Sequence, residues 1–282
     1  HQAIHITFKS PHLGDFNEEF NVVFDGCPDP VKISLKGAVI GPTFHFDKSK
    51  LKFGTVSYGF PCTEKLVLNN TSLVAMTYKL RVPDDGTGAP VNAEELEHDD
   101  SPRSRAQQTV PQEFHIQPAS GTIQAMSSAA IHVTLTANSL RKFHTGLVVD
   151  VVGVGEEILN LPISAKSVIP PIQLTTPTMD YSRCFKNHPY EKSVVFSNAS
   201  DLPARYLLIP QETDENAPVI SYYSPKPKGI IAARSQCHVP LIIEAHLGEE
   251  LNTEALFKIF GSDDPPLEVN IMCYGEGPVV CA

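Results

Sequence analysis

Reactive side chains are plentiful in this chain, but their spacing assembles none of the common reactive centres. Gly153-Val154-Gly155-Glu156-Glu157-Ile158 carries half of a dinucleotide fingerprint. Such a loop cradles a pyrophosphate only when a helix N-terminus follows it. Here strand-like alternation continues on both sides, so a tight turn is expected. Eleven histidines are scattered, with no His-x-x-x-His pair on a helix to hold zinc. No Gly-x-Ser-x-Gly elbow, phosphate-loop lysine or paired active-site carboxylates stand out. Asp263-Asp264 before Pro265-Pro266 reads as a turn, because calcium-dependent modules repeat their acidic ligands and this pair is not repeated. Catalytic, cofactor-binding and metal residues are therefore expected to be none, and the chain is not expected to be an enzyme.

Two modification chemistries compete with plainer readings. Asn69, Asn70 and Asn198 head Asn-x-Ser/Thr sequons, and sugar there would imply export. Asn and Ser after a strand also bond their own backbone and make a turn. Asn70 and Ser72 recur as Asn198 and Ser200, which favours the turn. Ser101-Pro102 fits a phosphorylation site, and Glu94 to Asp100 could face a basic partner; a solvated acidic loop accounts for both. Cysteines 27, 62, 184, 237, 273 and 281 show no Cys-x-x-Cys pair. Cys62 matches Tyr190, Cys184 matches Val56 and Cys237 matches Ala129 in the repeat below, so no disulfide recurs between modules. Reduced, partly buried thiols in a cytosolic compartment are expected.

The elements that carry these residues form a repeat. Leu51 to Tyr78 recurs without a gap as residues 179–206, matching Phe53 with Tyr181, Pro61 with Pro189, Val67 with Val195, Asn70 with Asn198 and Tyr78 with Tyr206. A repeat of this length is a whole domain. The 24 prolines, 17 glycines and absence of tryptophan, with short Val, Ile, Leu, Phe and Thr runs, favour strands and turns over helices. Residues 43–170 are read as one complete immunoglobulin-like module and 171–282 as another. Strands run through Phe44, Leu66 and Leu68, Met76 to Leu80, Ile131 to Leu135, Leu147 to Val151 and Leu159 to Ile163. Residues 1–42 resemble the back half of a module, since Ala3 to Phe8 matches Ala130 to Leu135; strands are expected at 3–8, around Phe20 to Phe24 and at Val31 to Leu35. The stretch 84–113 is too polar for a core and is expected to be a disordered acidic loop. Gly41-Pro42 and Pro170-Pro171 mark short, stiff joints.

The net charge of −10 argues against nucleic acid or anionic lipid as the main partner. No apolar run approaches the roughly 18 to 20 residues of a membrane helix, and no export leader opens the chain.

Taken together, Phe53-Gly54-x-Val56, Pro61, Leu66-Val67-Leu68-x-Asn70-x-Ser72, Pro118-x-Ser120-Gly121-x-Ile123 and the Ile-x-Val-x-Leu strand resemble the ASH modules. These are immunoglobulin-like domains related to major sperm protein and found in ciliary and centrosomal proteins. The resemblance implies an all-β fold of tandem ASH/MSP-like antiparallel β-sandwiches. It also implies a structural scaffold of the axonemal central-pair apparatus, needed for cilium motility. The expected partners are central-apparatus proteins and microtubule-associated neighbours, with no cofactor, no nucleic acid and no membrane, as part of a larger multi-module chain. The expected location is cytoplasm, cytoskeleton and cilium axoneme. An extracellular adhesion-type array would need disulfides or sugars. An MSP-like peptide- or lipid-binding module would need a basic groove on one sheet, and few lysines are expected near such a face.

Overall fold

The computed structural model describes residues 3, 5–8, 14–26, 29–91, 110–211 and 218–277, and among them it is all strand, turn and loop. Strands β1 (Gly14–Val22) and β2 (Val31–Val39) form a two-stranded antiparallel ribbon. The central sandwich is built from β3 (Phe44–Phe46), β4 (Leu51–Ser57), β5 (Pro61–Asn70), β6 (Met76–Arg81), β7 (Phe114–Gln117), β8 (Ser120–Ile123), β9 (Ser128–Thr136), β10 (Lys142–Val151) and β11 (Gly155–Val168). Its two sheets run β4-β11-β10-β6-β8 and β3-β5-β9-β7. A second sandwich follows with β12 (Ile172–Leu174), β13 (Thr178–Phe185), β14 (Pro189–Asn198), β15 (Ala204–Leu208), β16 (Ile220–Tyr223), β17 (Lys228–Ile231), β18 (Ser235–Ala245), β19 (Glu250–Ile259) and β20 (Leu267–Glu276). Its sheets run β13-β20-β19-β15-β17 and β12-β14-β18-β16, the same order strand for strand.

Alternation along each strand places the cores. Leu66 and Leu68 of β5 and Ile131, Val133 and Leu135 of β9 are fully buried, while Thr63, Lys65 and His132 at alternate positions face solvent. A side chain every second residue lies on the inner face, so the pattern read from sequence is the pattern that folds. Val194, Phe196, Val239, Leu241 and Ile243 repeat this in the second sandwich, around a separate core. The Pro-x-Ser-Gly spacing has a packing cause. Tyr78 stands opposite Gly121, and Tyr206 opposite Gly229. A Cβ on Gly121 would lie 3.1 Å from the Tyr78 hydroxyl, and one on Gly229 2.8 Å from Tyr206. Each ring therefore lies over a backbone that only glycine supplies.

Not every pair is antiparallel. β3 pairs with β5 in one sheet, the chain then crosses between the sheets, and β4 continues in the same direction beside β11 as a parallel partner. β12 and β13 do the same against β14 and β20. Each sandwich thus holds one parallel pair, a consequence of a front strand that serves both sheets.

Two expectations need correction. Residues 5–8 are not a strand, although β9, their counterpart in the repeat, is one. β9 is flanked on both edges by β5 and β7, whereas no described strand borders residues 5–8, and an extended backbone without a ladder gains no hydrogen bonds. Phe8 instead stacks on Phe16, centroids 4.1 Å apart. The stretch 84–113 is ordered at both ends. Asp85 accepts hydrogen bonds from the backbone N–H groups of Gly86, Glu113 and Phe114 at 2.8 to 3.0 Å, and Pro90 bridges to Gln112. Glu113, 7% exposed, is held by Arg141 at 2.5 Å and by the Asn138 N–H at 2.7 Å. Asp85 thus pins the base of the stretch by satisfying three backbone donors at once. Ser101 and the acids Glu94 to Asp100 lie outside the described residues.

Candidate protein-interaction surface

Two of the three sequon asparagines, Asn70 and Asn198, are structural clamps, while Asn69 lies half-buried on the other face of β5. Asn70 is 2% exposed, and its amide nitrogen lies 2.8, 3.2 and 3.0 Å from the carbonyls of Val74, Ile123 and Gln124. Its Oδ1 accepts from the Ser72 N–H and hydroxyl at 3.1 and 2.6 Å. Asn198 repeats the arrangement with Leu202, Ile231, Ala232 and Ser200. Each asparagine thereby shapes its own turn and ties it to the opposite sheet. In the folded chain the nitrogen that would carry a sugar is already committed to carbonyl oxygens.

The remaining expected features fall as follows. Gly153 and Gly155, both at positive φ, form the turn between β10 and β11. His132 points outward from β9, and His5 is exposed. Asp263 and Asp264 sit in the loop between β19 and β20. Cys62, Cys184, Cys237 and Cys273 are free thiols; Cys27 and Cys281 lie outside the described residues. Burial pushes the Cys184 thiol up to about 11, with neighbouring Cys273 adding to the rise. Burial raises Cys273, Cys62 and Cys237 as well, so these thiols stay protonated and poorly nucleophilic at neutral pH.

One constellation escaped the sequence reading. The Ser221 hydroxyl lies 2.9 Å from His246 Nε2, and His246 Nδ1 lies 2.8 Å from Asn187 Oδ1. This has the order of nucleophile, base and orienter. Acyl transfer also needs donors aimed at a developing oxyanion, and the N–H of Tyr222, next in the chain to Ser221, is spent on Gln211 Oε1 at 3.2 Å. The relay joins β16, the end of β18 and the β13–β14 turn, and its geometry is that of a cross-link. Spacings of 25 and 59 residues hide it in the sequence.

Two surfaces remain as contact sites. The first joins the sandwiches. Ser57 at the end of β4 donates to the Pro203 carbonyl at 2.5 Å, the Tyr58 ring meets Phe260 at 5.8 Å, and Arg205 lies over the Phe60 ring at 4.6 Å. Gly261 approaches so closely that a Cβ there would fall 2.6 Å from Tyr58. The second lies on the outer face of the five-stranded sheet of the central sandwich, where Lys52, Lys142, Lys166 and His144 line an open groove of about 300 Å³. The expectation of few lysines near such a face is thus overturned. They come from three strands far apart in sequence, which the order β4-β11-β10 brings side by side.

Comparison with known proteins gives a consistent picture. The family described as "Abnormal spindle-like microcephaly-assoc'd, ASPM-SPD-2-Hydin" (ASH) matches residues 1–91, which take in the ribbon and β3 to β6. The human hydrocephalus-inducing protein homolog is 45% identical over 99% of this chain, and the mouse hydrocephalus-inducing protein is equally so. The chain spans 6% of the length of each. Human deleted in lung and esophageal cancer protein 1 is 22% identical over 89% of the chain and 13% of its own length. Among solved structures, PapD-like domain 7 of human CEP192 aligns with 45% of this chain and 87% of its own, at 14% identity and a TM-score of 0.33.

Proposed function

Similarity to hydrocephalus-inducing protein along 99% of the chain, with an ASH match at residues 1–91, is the premise from which we propose that this chain is a structural scaffold of the ciliary axoneme. In this reading it belongs to the central-pair apparatus, supports cilium motility, and acts through contacts with central-apparatus proteins and microtubule-associated neighbours rather than by catalysis. It works within a larger multi-module chain, in which residues 1–42 are the back half of one module and 43–170 and 171–282 are two complete ones. The observation that carries the reading is the joint itself. Two sandwiches meet through Ser57, Tyr58 and Phe60 on one side and Pro203, Arg205 and Phe260 on the other. A contact built from ring, guanidinium and carbonyl holds neighbouring modules in register, which suits a load-bearing rod better than beads on a flexible string.

The buried, protonated thiols of Cys184 and Cys273, with Asn70 and Asn198 locked into turns, favour this over an extracellular adhesion array, which would draw on disulfides or sugars. Tagging the endogenous protein in cells with motile cilia tests the proposal. The tag should decorate the ciliary shaft and resist detergent extraction with the axoneme, and its loss should impair beating. Recovery only from cytosol, or from outside the cell, would overturn it.

A further inference from the structure

The end of the second sandwich that meets Ser57, Tyr58 and Phe60 has a counterpart on the central sandwich, and there it is open. Backbone hydrogen bonds fix the correspondence. The Phe260 N–H donates to the Arg205 carbonyl as the Val152 N–H donates to that of Thr77, and the Arg234 N–H donates to the Ser200 carbonyl as that of Met126 donates to Ser72. Gly261 and Gly153 follow at the same φ of 79°, and Arg234 and Met126 share a left-handed backbone. Pro203, Arg205 and Phe260 thus correspond to Ala75, Thr77 and Val152, and Leu202 to Val74.

Burial differs at every one of these positions. Leu202, Pro203, Arg205, Phe260 and Gly261 are half-buried, whereas Val74, Ala75, Thr77, Val152 and Gly153 are exposed. Val74 and Val152 are 53% and 62% exposed. A Cβ on Gly153 would meet nothing within 4 Å, against 2.6 Å to the Tyr58 ring at Gly261. The rims differ as well. The ion pair of Asp201 and Arg234 flanks the covered end, while exposed Leu73 and Met126 stand at those positions on the open one. Aliphatic side chains gathered at one end of a sandwich and left in water mark a contact surface.

We propose that Val74, Ala75, Thr77 and Val152 form the seat for a strand-to-strand turn of the sandwich that residues 1–42 close, so that the joint after residue 42 repeats the joint after residue 170. The route of the chain selects that occupant. Phe44 pairs with Asn70 as Ile172 pairs with Asn198, so each linker arrives beside the turn that leads to its seat. In the observed joint the Tyr58 N–H donates to the carbonyl of Val168, the last residue of β11, and residues 169–171 alone separate β11 from β12. β2 ends at Val39, and residues 40–43 alone lead from it to β3. A turn fastened to the end of β2 as Tyr58 is fastened to β11 therefore reaches the open seat over a linker of nearly the same length. Lacking the Arg205 guanidinium and the Phe260 ring, this seat offers aliphatic surface, which suits an apolar or aromatic turn and excludes a charged one. The proposal deepens the scaffold reading, and rests on it only for the larger multi-module chain.

Hydroxyl-radical footprinting read by mass spectrometry tests the seat without any substitution. The chain of 282 residues is compared with the endogenous protein, immunopurified in high salt so that no other chain accompanies it. Val74 and Val152 should react about fivefold or more slowly in the endogenous protein, as residues inside an inter-domain contact do. Met126 should react alike in both, because its counterpart Arg234 stays exposed beside the covered end. Photo-leucine incorporated at Leu73 identifies the cover, and its crosslinks should run to the same polypeptide just upstream of residue 1. Equal rates at Val74 and Val152, protection that appears only in intact cilia, or crosslinks to other proteins alone would overturn the proposal. An open seat in a ciliary protein sinks this inference and leaves the scaffold's location standing; a covered seat in a protein found outside cilia does the reverse.

Discussion

A single side chain does more at Asn70 than its place after a strand suggests. Its amide ties the turn at Ser72 to the chain leaving β8, and Asn198 does so again 128 residues on. Asn70→Ala takes its donors from one buried and two part-buried carbonyls and should cost about 1 to 3 kcal/mol. Asn70→Asp should cost more, because it sets a carboxylate against those same oxygens. Chemical unfolding followed by circular dichroism reads both, and a loss below about 0.5 kcal/mol would show that the clamp is incidental. Buried Cys184 gives a pH signature. Its thiol titrates near 11 when folded, against an ordinary value of 9.0. Between those pH values the unfolded chain has released the proton and the native chain keeps it, so stability falls as pH rises through the window. Thermal scans from pH 8 upward should show this decline, and Cys184→Ala should make it shallower, the rest coming from the raised thiols of Cys62, Cys237 and Cys273. The Asn clamp was legible because it repeats. The lysine face and the Ser221–His246–Asn187 relay were not, because strand order alone assembles them.

Among the elements, period-two alternation was the dependable signal. Leu66 with Leu68 and Ile131 with Val133 and Leu135 lie inside, as their spacing implies. What alternation could not show was direction or partner. The parallel pairing of β4 with β11 follows from a crossing between sheets that leaves no mark in composition. The strand expected at residues 3–8 has the right alternation, and no described strand borders residues 5–8. The ribbon sets Phe20 against Ile33 and Val22 against Val31 on one face, and Phe20 and Val31 remain 43% and 52% exposed. We accordingly expect a peptide of residues 1–42 alone to be largely unstructured. Dispersed amide resonances and protease resistance would contradict that. At the base of the 84–113 stretch, Asp85→Ala releases three backbone donors and should speed proteolysis there at least severalfold without unfolding the sandwiches. Unchanged cleavage would remove Asp85 from the account.

Beyond the ribbon of β1 and β2, the molecule is two sandwiches of one strand order. The repeat and the Pro170-Pro171 joint were visible in the sequence; the aromatic contact across the joint was not, since Tyr58 and Phe260 sit in unrelated loops. Phe260→Ala should loosen that contact and broaden the distribution of shapes seen by small-angle scattering, while each sandwich keeps its own unfolding transition. An unchanged scattering profile would assign the restraint to the prolines alone. The account as a whole turns on where such a unit is built in. The most direct measurement is a cryo-EM map of the native ciliary central apparatus at a resolution that separates strands. The account predicts two successive sandwiches on a central-pair projection, in contact through the loops of Tyr58 and Phe260 and bordered by other proteins. A complete map with no density that fits the pair would contradict it.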